Sequence, residues 1–272
     1  KNSSLTRQGP DCLAPDGMLP AHVKVVTGHI GFQPSLLARF RGRPFTAVVL
    51  LREPLARLVS LFNMYPDGTW GRSPTNHSPA LSFAAAYRRR LRARNALVCF
   101  VAGATLCDSI GALEPRALGG ASLRLARYNL LHRYAVFGLV ERAEESQLVI
   151  AWSLGWLDFY LAKVQGHRDT HLAPLAPGAS HRRLALAQLC QVPGLLQDMQ
   201  RGERLDLAFY AFAQGLYAQR LRDVPEHVLR HLPPPPPPLA SPVAAATGCP
   251  ADGFITVPGL VSAEDAALLP DD

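Results

Sequence analysis

The sequence predicts an α/β fold in which a central parallel sheet is flanked by helices. The first observation is the uncharged stretch Phe45–Leu51, whose β-branched and aliphatic residues are typical of a strand buried on both faces. The second is the helix that follows at once, because Pro54 suits a first helical turn and apolar residues recur every three or four positions after it. The third is that the same order recurs where the apolar stretch 135–140 leads into a helix over residues 143–154.

The other elements are predicted from the same periodicities. Residues 22–28 alternate as a strand does, and residues 34–40 carry one apolar helical face. The remaining predicted helices are 79–94 continuing into the apolar segment 96–102, then 123–131, 181–191 and 204–222, the last with Leu205, Phe209, Phe212 and Leu216 in register. Alternating strands and helices imply right-handed βαβ units.

The predicted organisation is one domain over residues 1–232 and a tail over residues 233–272. A chain of 272 residues, 48% of them apolar, can bury one sizeable core. Six consecutive prolines, Pro233–Pro238, favour a polyproline II rod that ends the domain. The tail contains no Lys or Arg and five acidic residues and is rich in Ala, Pro and Gly, so it is predicted to be a linker or the edge of a neighbouring domain.

The charge of the chain indicates an anionic partner. Its formal net charge is +7, and 25 of its 28 basic residues are arginine, which suits bidentate binding of phosphate, sulfate and carboxylate. A nucleotide or an acidic glycan fits better than a nucleic acid, because no nucleic-acid-binding signature surrounds the basic run 88–94. Arg88 and Arg92, four residues apart, either point at an acidic substrate or belong to a solvated helix face; His77 is a further substrate candidate from its loop position.

Arg52 and Ser60 predict a phosphate clamp. Arg52 ends a predicted parallel strand, and open α/β sheets bind ligands at the carboxyl ends of their strands. Ser60 lies on the helix that leaves the same crevice, and a cation with a hydroxyl suits a phosphate group. The alternative is an ordinary strand–turn–helix unit whose arginine makes a surface ion pair.

The cysteines leave two interpretations open. Five are present, with no CxxC motif and no metal spacing with histidine, so no metal site is expected. Cys99 and Cys107 either close a short disulfide or are buried thiols, and an isolated apolar setting favours thiols. No apolar run reaches membrane-helix length, and since the sequence begins with Lys1 we expect a fragment of a longer chain.

Several segments together resemble the sulfotransferases that use 3′-phosphoadenosine-5′-phosphosulfate, especially the Golgi enzymes of the uronyl and heparan sulfate 2-O-sulfotransferase type. That family's 5′-phosphosulfate loop reads Pro-Lys-x-x-Ser-x-Ser/Thr; its leading Pro and the strand before it are not part of this sequence. Its 3′-phosphate motif is an arginine at a strand end with a serine eight residues later. The matching segments here are Lys1-Asn2-Ser3-Ser4-Leu5-Thr6, Thr27-Gly28-His29, Arg52 with Ser60, Asn95 with Gly103, residues 129–146, and Asp206-Leu-Ala-Phe-Tyr210.

The resemblance, which covers about residues 1–222, implies a P-loop-type three-layer fold and the transfer of sulfate to a carbohydrate hydroxyl without a metal. It implies that His29 is the general base, and histidine suits that role because its pKa lies near neutrality. It also implies that Lys1 stabilises the charge on the departing phosphate. The residues it implies for cofactor binding are Lys1, Asn2, Ser3, Ser4 and Thr6 at the 5′ end, and Arg52 and Ser60 at the 3′-phosphate. Residence in the Golgi lumen through an N-terminal anchor is the corresponding expectation.

Two other functions compete with this one. A P-loop kinase would need a glycine-rich loop ending in Lys-Ser/Thr and an acidic strand end for magnesium, but the Lys1 loop has no glycine and the strand ends in Arg52. A non-catalytic anion-binding module would have the same charge. The truncated Lys1 loop and its Leu5, where the family usually has a hydroxyl, keep this alternative open. The combination of Lys1, His29, Arg52 and Ser60 favours the enzyme, because binding alone does not require it.

Overall fold

In the computed structural model of this protein, the described residues are 45–64, 79–89, 94–103, 118–161 and 186–232. The predictions for strand 22–28, helix 34–40 and tail 233–272 lie outside these ranges. The described elements are, in order, β1 (Val48–Leu51), α1 (Pro54–Met64), α2 (Pro79–Arg89), α3 (Ala96–Ala102), α4 (Gly120–His132), β2 (Val136–Leu139), a 3₁₀ turn (Val140–Arg142), α5 (Ala143–Ser153), a 3₁₀ helix (Leu186–Gln191), α6 (Leu195–Gly202), α7 (Arg204–Arg222) and α8 (Glu226–Leu229).

The sheet in the described part consists of two parallel strands. Val48 pairs with Val136 and Leu51 with Leu139, so β1 and β2 end side by side. All four residues of β2 are buried, but Val48 and Leu50 of β1 are 39% and 56% exposed. The prediction that β1 is buried on both faces is therefore wrong. Side chains alternate across a strand, and the largest apolar cluster contains only the face that carries Val49 and Leu51.

The apolar stripe predicted after Pro54 is confirmed in α1. Its four members, Leu55, Leu58, Val59 and Phe62, are all buried. They pack against α2, the 3₁₀ helix and α6, and the rings of Phe62 and Phe83 meet edge to face at 5.3 Å between centroids. At about 1.5–3 kcal/mol for each fully buried large apolar side chain, this stripe holds α1 in place after the strand.

Helix α7 has the predicted bounds and crosses the largest core cluster. Leu205 and Phe209 are buried there, and Phe212 and Leu216 pack against it partly buried. The cluster also contains Leu51 of β1 together with residues of β2, α3 and α4. The helix predicted over 181–191 differs from the structure, which has a 3₁₀ helix over Leu186–Gln191.

The predicted continuation of helix 79–94 into 96–102 is wrong, because α2 ends at Arg89 and α3 starts anew at Ala96. Asn95 lies between them with φ 54°, in the left-handed region. Asparagine is enriched there among non-glycine residues. The left-handed conformation at Asn95 interrupts the segment that the apolar periodicity predicts to be one continuous helix.

Cys99 and Cys190 are both disulfide-bonded. A buried thiol at Cys99, the interpretation that its apolar setting favours, is therefore wrong. In outline the described part is broadly α/β, mostly helical with a small two-stranded parallel sheet. No helix within the described ranges is long and apolar enough to cross a membrane.

Candidate functional site

The carboxyl ends of β1 and β2 form the edge at which a parallel sheet binds ligands. Because Leu51 lies opposite Leu139, the next residues of each strand, Arg52-Glu53 and Val140-Glu141, meet at this edge. The backbone N–H of Glu53 donates to Oε1 of Glu141 at 2.9 Å. The turn that carries Arg52 is thus tied to the end of the neighbouring strand, and we call this region the carboxyl edge.

Glu53 directly precedes helix α1 and caps its first turn. Its Oε2 accepts the backbone N–H of Ala56 at 2.5 Å, and its backbone carbonyl accepts that of Arg57 at 2.8 Å. A carboxylate here satisfies an otherwise unpaired N–H and suits the positive end of the helix dipole. Glu53 is only 5% exposed, and burial, assisted by the Glu141 carboxylate, raises the pKa of its carboxyl. The start of the helix that carries Ser60 is therefore rigidly defined.

Tyr210 connects α7 to the carboxyl edge. Its hydroxyl donates to Oε2 of Glu141 at 2.5 Å, so both oxygens of Glu141 are engaged. Burial, followed by the contact with Glu141, raises the pKa of the Tyr210 hydroxyl, which keeps its proton and remains a donor. Glu141 thereby joins β1, β2 and α7 at a single point beside Arg52.

Arg52 and Ser60, the predicted 3′-phosphate residues, are both among the described residues. Arg52 directly follows β1, and Ser60 lies in the second turn of α1; each is partly exposed. Both are accessible to solvent and belong to one strand–turn–helix unit, as the sequence predicted. Their joint contact with a phosphate stays a prediction.

Arg57 is a further functional candidate on α1. Its Nη2 lies 3.5 Å from Oδ2 of Asp206, which is fully buried, while the Arg57 side chain is 19% exposed. This ion pair joins α1, one turn beyond the carboxyl edge, to the start of α7. Burial raises the pKa of Asp206, and Arg57 with two backbone hydrogen bonds opposes that rise.

Asn95 and Asp206 cap each other's helices. The two oxygens of Asp206 accept the backbone N–H groups of Val98 and Leu97 at 2.7 and 2.8 Å, which caps α3. Oδ1 of Asn95 accepts those of Leu205 and Asp206 at 2.9 and 3.2 Å, which caps α7. The free backbone N–H groups at the first turns of α3 and α7 are thus hydrogen-bonded by side chains about 110 positions away in the chain.

Glu203 adds a second buried carboxyl to this joint between α3 and α7. It has no exposed surface, and its Oε2 accepts the backbone N–H of Asn95 at 2.9 Å. Burial and, second, the neighbouring Asp206 carboxylate raise the pKa of Glu203 to about 7. The carboxyl group of Glu203 therefore keeps its proton to a higher pH than an exposed glutamate, whose pKa is near 4.5.

Arg88, a predicted substrate contact, lies on α2 with its side chain 52% exposed. Its Nε is 3.3 Å from Oδ2 of Asp198, whose other oxygen meets Arg201 at 2.7 Å. This surface ion pair matches the solvated-face alternative, and the substrate role stays a prediction. The other predicted site residues, Lys1, Asn2, Ser3, Ser4, Thr6, His29, His77 and Arg92, lie outside the described residues.

Within the described ranges, no group of three or more His, Cys, Asp or Glu side chains could hold a metal ion. At the carboxyl edge, both oxygens of Glu141 and Oε2 of Glu53 accept hydrogen bonds from backbone or tyrosine donors. No protein-family model, no curated protein and no solved structure matches this sequence.

Proposed function

We propose that this protein transfers the sulfuryl group of 3′-phosphoadenosine-5′-phosphosulfate to a hydroxyl of a carbohydrate acceptor, on a P-loop-type, sulfotransferase-like fold. The observation that carries the proposal is Arg52 at the carboxyl end of a parallel strand, followed directly by the helix that bears Ser60. An arginine at this edge with a hydroxyl on the next helix suits the 3′-phosphate of that nucleotide.

In the proposed reaction the acceptor oxygen attacks sulfur as the bond from sulfur to the phosphate oxygen breaks. His29 takes the acceptor proton, and Lys1 with the loop residues Asn2, Ser3, Ser4 and Thr6 stabilises the charge on the released phosphate. The proposed reaction uses no metal, and Lys1 and Arg52 offset part of the negative charge of the nucleotide. His77, Arg88 and Arg92 are the proposed contacts to the glycan.

The hydrogen bonds at the carboxyl edge support a preorganised phosphate site. Glu141 holds the turn after Arg52 through the Glu53 N–H and is itself held by Tyr210. A binding group fixed in this way loses little conformational freedom when a ligand arrives.

The disulfide bonds at Cys99 and Cys190 support residence in an oxidising compartment, and the Golgi lumen is the proposed location. Sulfation of glycans in that lumen is compatible with such bonds.

The decisive experiment is calorimetry with adenosine 3′,5′-bisphosphate on Arg52→Ala. We expect roughly 10–100-fold weaker binding, because a charged hydrogen bond to phosphate contributes about 1.5–3 kcal/mol. Arg230→Ala is the matched control, since within the described residues Arg230 makes an exposed ion pair with Glu226, and this variant should bind the bisphosphate as the unmodified protein does. Equal affinities in the two variants would refute the assignment of Arg52.

A non-catalytic anion-binding module is the second candidate, favoured by the arginine-rich composition. Transfer of labelled sulfate to a panel of polysaccharides separates the two functions. The enzyme should transfer sulfate and lose most turnover, but not bisphosphate binding, in His29→Ala. Polysaccharide binding without transfer, and without stabilisation by the bisphosphate, would establish the binding module instead.

A further inference from the structure

An aromatic surface lies just beyond α5, on the helical turn over residues 157–161. Trp156 is 56% exposed and Phe159 is 71% exposed, and Phe159 has the largest exposure among the large apolar side chains of the described residues. With Trp152 and Tyr160 they form what we call the aromatic patch. Large apolar rings presented to solvent together mark surfaces that bind something.

Gly155 determines where this patch begins. It follows the end of α5 with φ +69°, a conformation in which a side chain would be strained. The N–H of Trp156 donates to the carbonyl of Ala151 at 2.7 Å, and that of Gly155 to the carbonyl of Trp152 at 3.1 Å. These two bonds are the Schellman arrangement, so the position of Trp156 is set by backbone geometry.

The patch is continuous with a small apolar cluster that contains the last described residues. At 3.6 residues per turn, Phe159, Trp156, Tyr160 and Leu157 occupy one arc of the helical turn. Leu157 and Tyr160 pack against the cluster around Val136, Leu148 and Val228, and so does Leu232. The helical turn that carries Phe159 and the last described residue, Leu232, therefore pack against one cluster.

The chain continues from Leu232 directly into Pro233–Pro238. Consecutive prolines favour the polyproline II helix, which rises about 3.1 Å per residue, so six prolines extend about 19 Å. That length exceeds the single helical turn that carries the patch. Polyproline II segments are recognised by aromatic grooves, and the indole N–H of a tryptophan is a suitable donor to their unbonded carbonyls.

We propose that the hexaproline segment Pro233–Pro238 docks onto the aromatic patch of its own chain. Attachment at Leu232 gives the segment a high effective concentration beside the patch, in the millimolar range for short tethers. Docking would fix the start of the acidic tail against the basic domain. The inference does not depend on the sulfotransferase proposal, since neither His29 nor Arg52 takes part.

The test measures acrylamide quenching of Trp156 in the full chain. The Trp156 signal is the difference between matched chains with and without Trp156→Phe. Replacing all six prolines by serine should raise its quenching constant about twofold, because a docked proline covers about one face of the ring. In the Trp156→Phe background the serine replacements should change nothing.

A peptide with the sequence of residues 230–240, added to the serine variant, should restore the protection of Trp156. Phe159→Ser should abolish that effect, whereas Leu125→Ser, which removes a 46% exposed leucine on α4, should not. Circular dichroism confirms that each variant is folded. Equal quenching with and without the prolines would overturn the proposal. Protection that persists in the serine variant and rises with protein concentration would also overturn it, and would assign the patch to a second copy of the chain.

Discussion

Replacing Glu203 by glutamine should stabilise the protein at neutral pH and remove part of its pH dependence. Glu203 is fully buried at the joint between α3 and α7, and its Oε1 has no hydrogen-bond partner in the described part of the chain. Oε1 of a glutamine at this position can still accept the N–H of Asn95, which Oε2 of Glu203 now accepts at 2.9 Å. The substitution therefore removes a buried charge while keeping the hydrogen bond.

The magnitude follows from the pKa of Glu203, which is raised from 4.5 to about 7 in the folded protein. The folded state binds the proton more tightly, so its stabilising contribution is fully present below about pH 4.5 and is lost as the pH rises through about 7. The complete loss is about 3 kcal/mol at 1.36 kcal/mol per pKa unit. Charged and titratable groups facing Glu203 are Asp206, Arg57, Arg94 and Tyr87.

The assay is urea unfolding at pH 5 and pH 8 with disulfides intact. The free energy of unfolding of Glu203→Gln, relative to the unmodified protein, should rise by roughly 2 kcal/mol between these pH values. Glu226→Gln is the matched control, because Glu226 makes an exposed ion pair with Arg230 and should give the same difference at both pH values. A Glu203→Gln effect that is equal at pH 5 and pH 8 would refute the buried-proton argument.

Three further substitutions test the packing around the site. Asp206→Ala should cost about 3–5 kcal/mol in urea unfolding, because it uncaps α3 and leaves Arg57 beside a cavity, and a cost below about 1 kcal/mol would contradict the capping role. Gly138→Ala should cost about 1–3 kcal/mol, since the new Cβ would lie 2.6 Å from Cβ of Ser146, and it should cost less when it is introduced into Ser146→Gly. Gly215→Ala on helix α7 should instead stabilise the protein by about 0.5–1 kcal/mol and raise its melting temperature, because the added Cβ would have no other atom within 4 Å. A lower melting temperature would contradict this prediction.

Local pattern predicted the elements that carry their own apolar periodicity. The bounds of α7 and the buried stripe of α1 follow from helical spacing, and β2 follows from a short uncharged run. The break at Asn95 was missed because residues on both sides of it favour helix. Asn95 makes hydrogen bonds to residues about 110 positions away, and no short stretch of sequence contains these partners.

Some residues of the candidate site could likewise be selected from the sequence, and the roles of others could not. Arg52 and Ser60 could be selected from the sequence because they lie within one short segment. Arg52 ends the predicted strand, and Ser60 follows eight residues later on the predicted helix. Glu141 and Tyr210 fell within motif segments, but their roles could not be assigned, since each contacts a residue of another element.

The sequence by itself determined the strand–turn–helix that presents Arg52, the arginine-rich charge and the hexaproline segment. Only the tertiary structure decided that Glu53, Glu203 and Asp206 are buried carboxyls and that Glu141 joins both strands to α7. Charge and periodicity are properties of neighbouring residues and can be read along the chain. Burial and hydrogen-bond partnership depend on segments brought together by folding, so the features that stiffen the site emerge only in three dimensions.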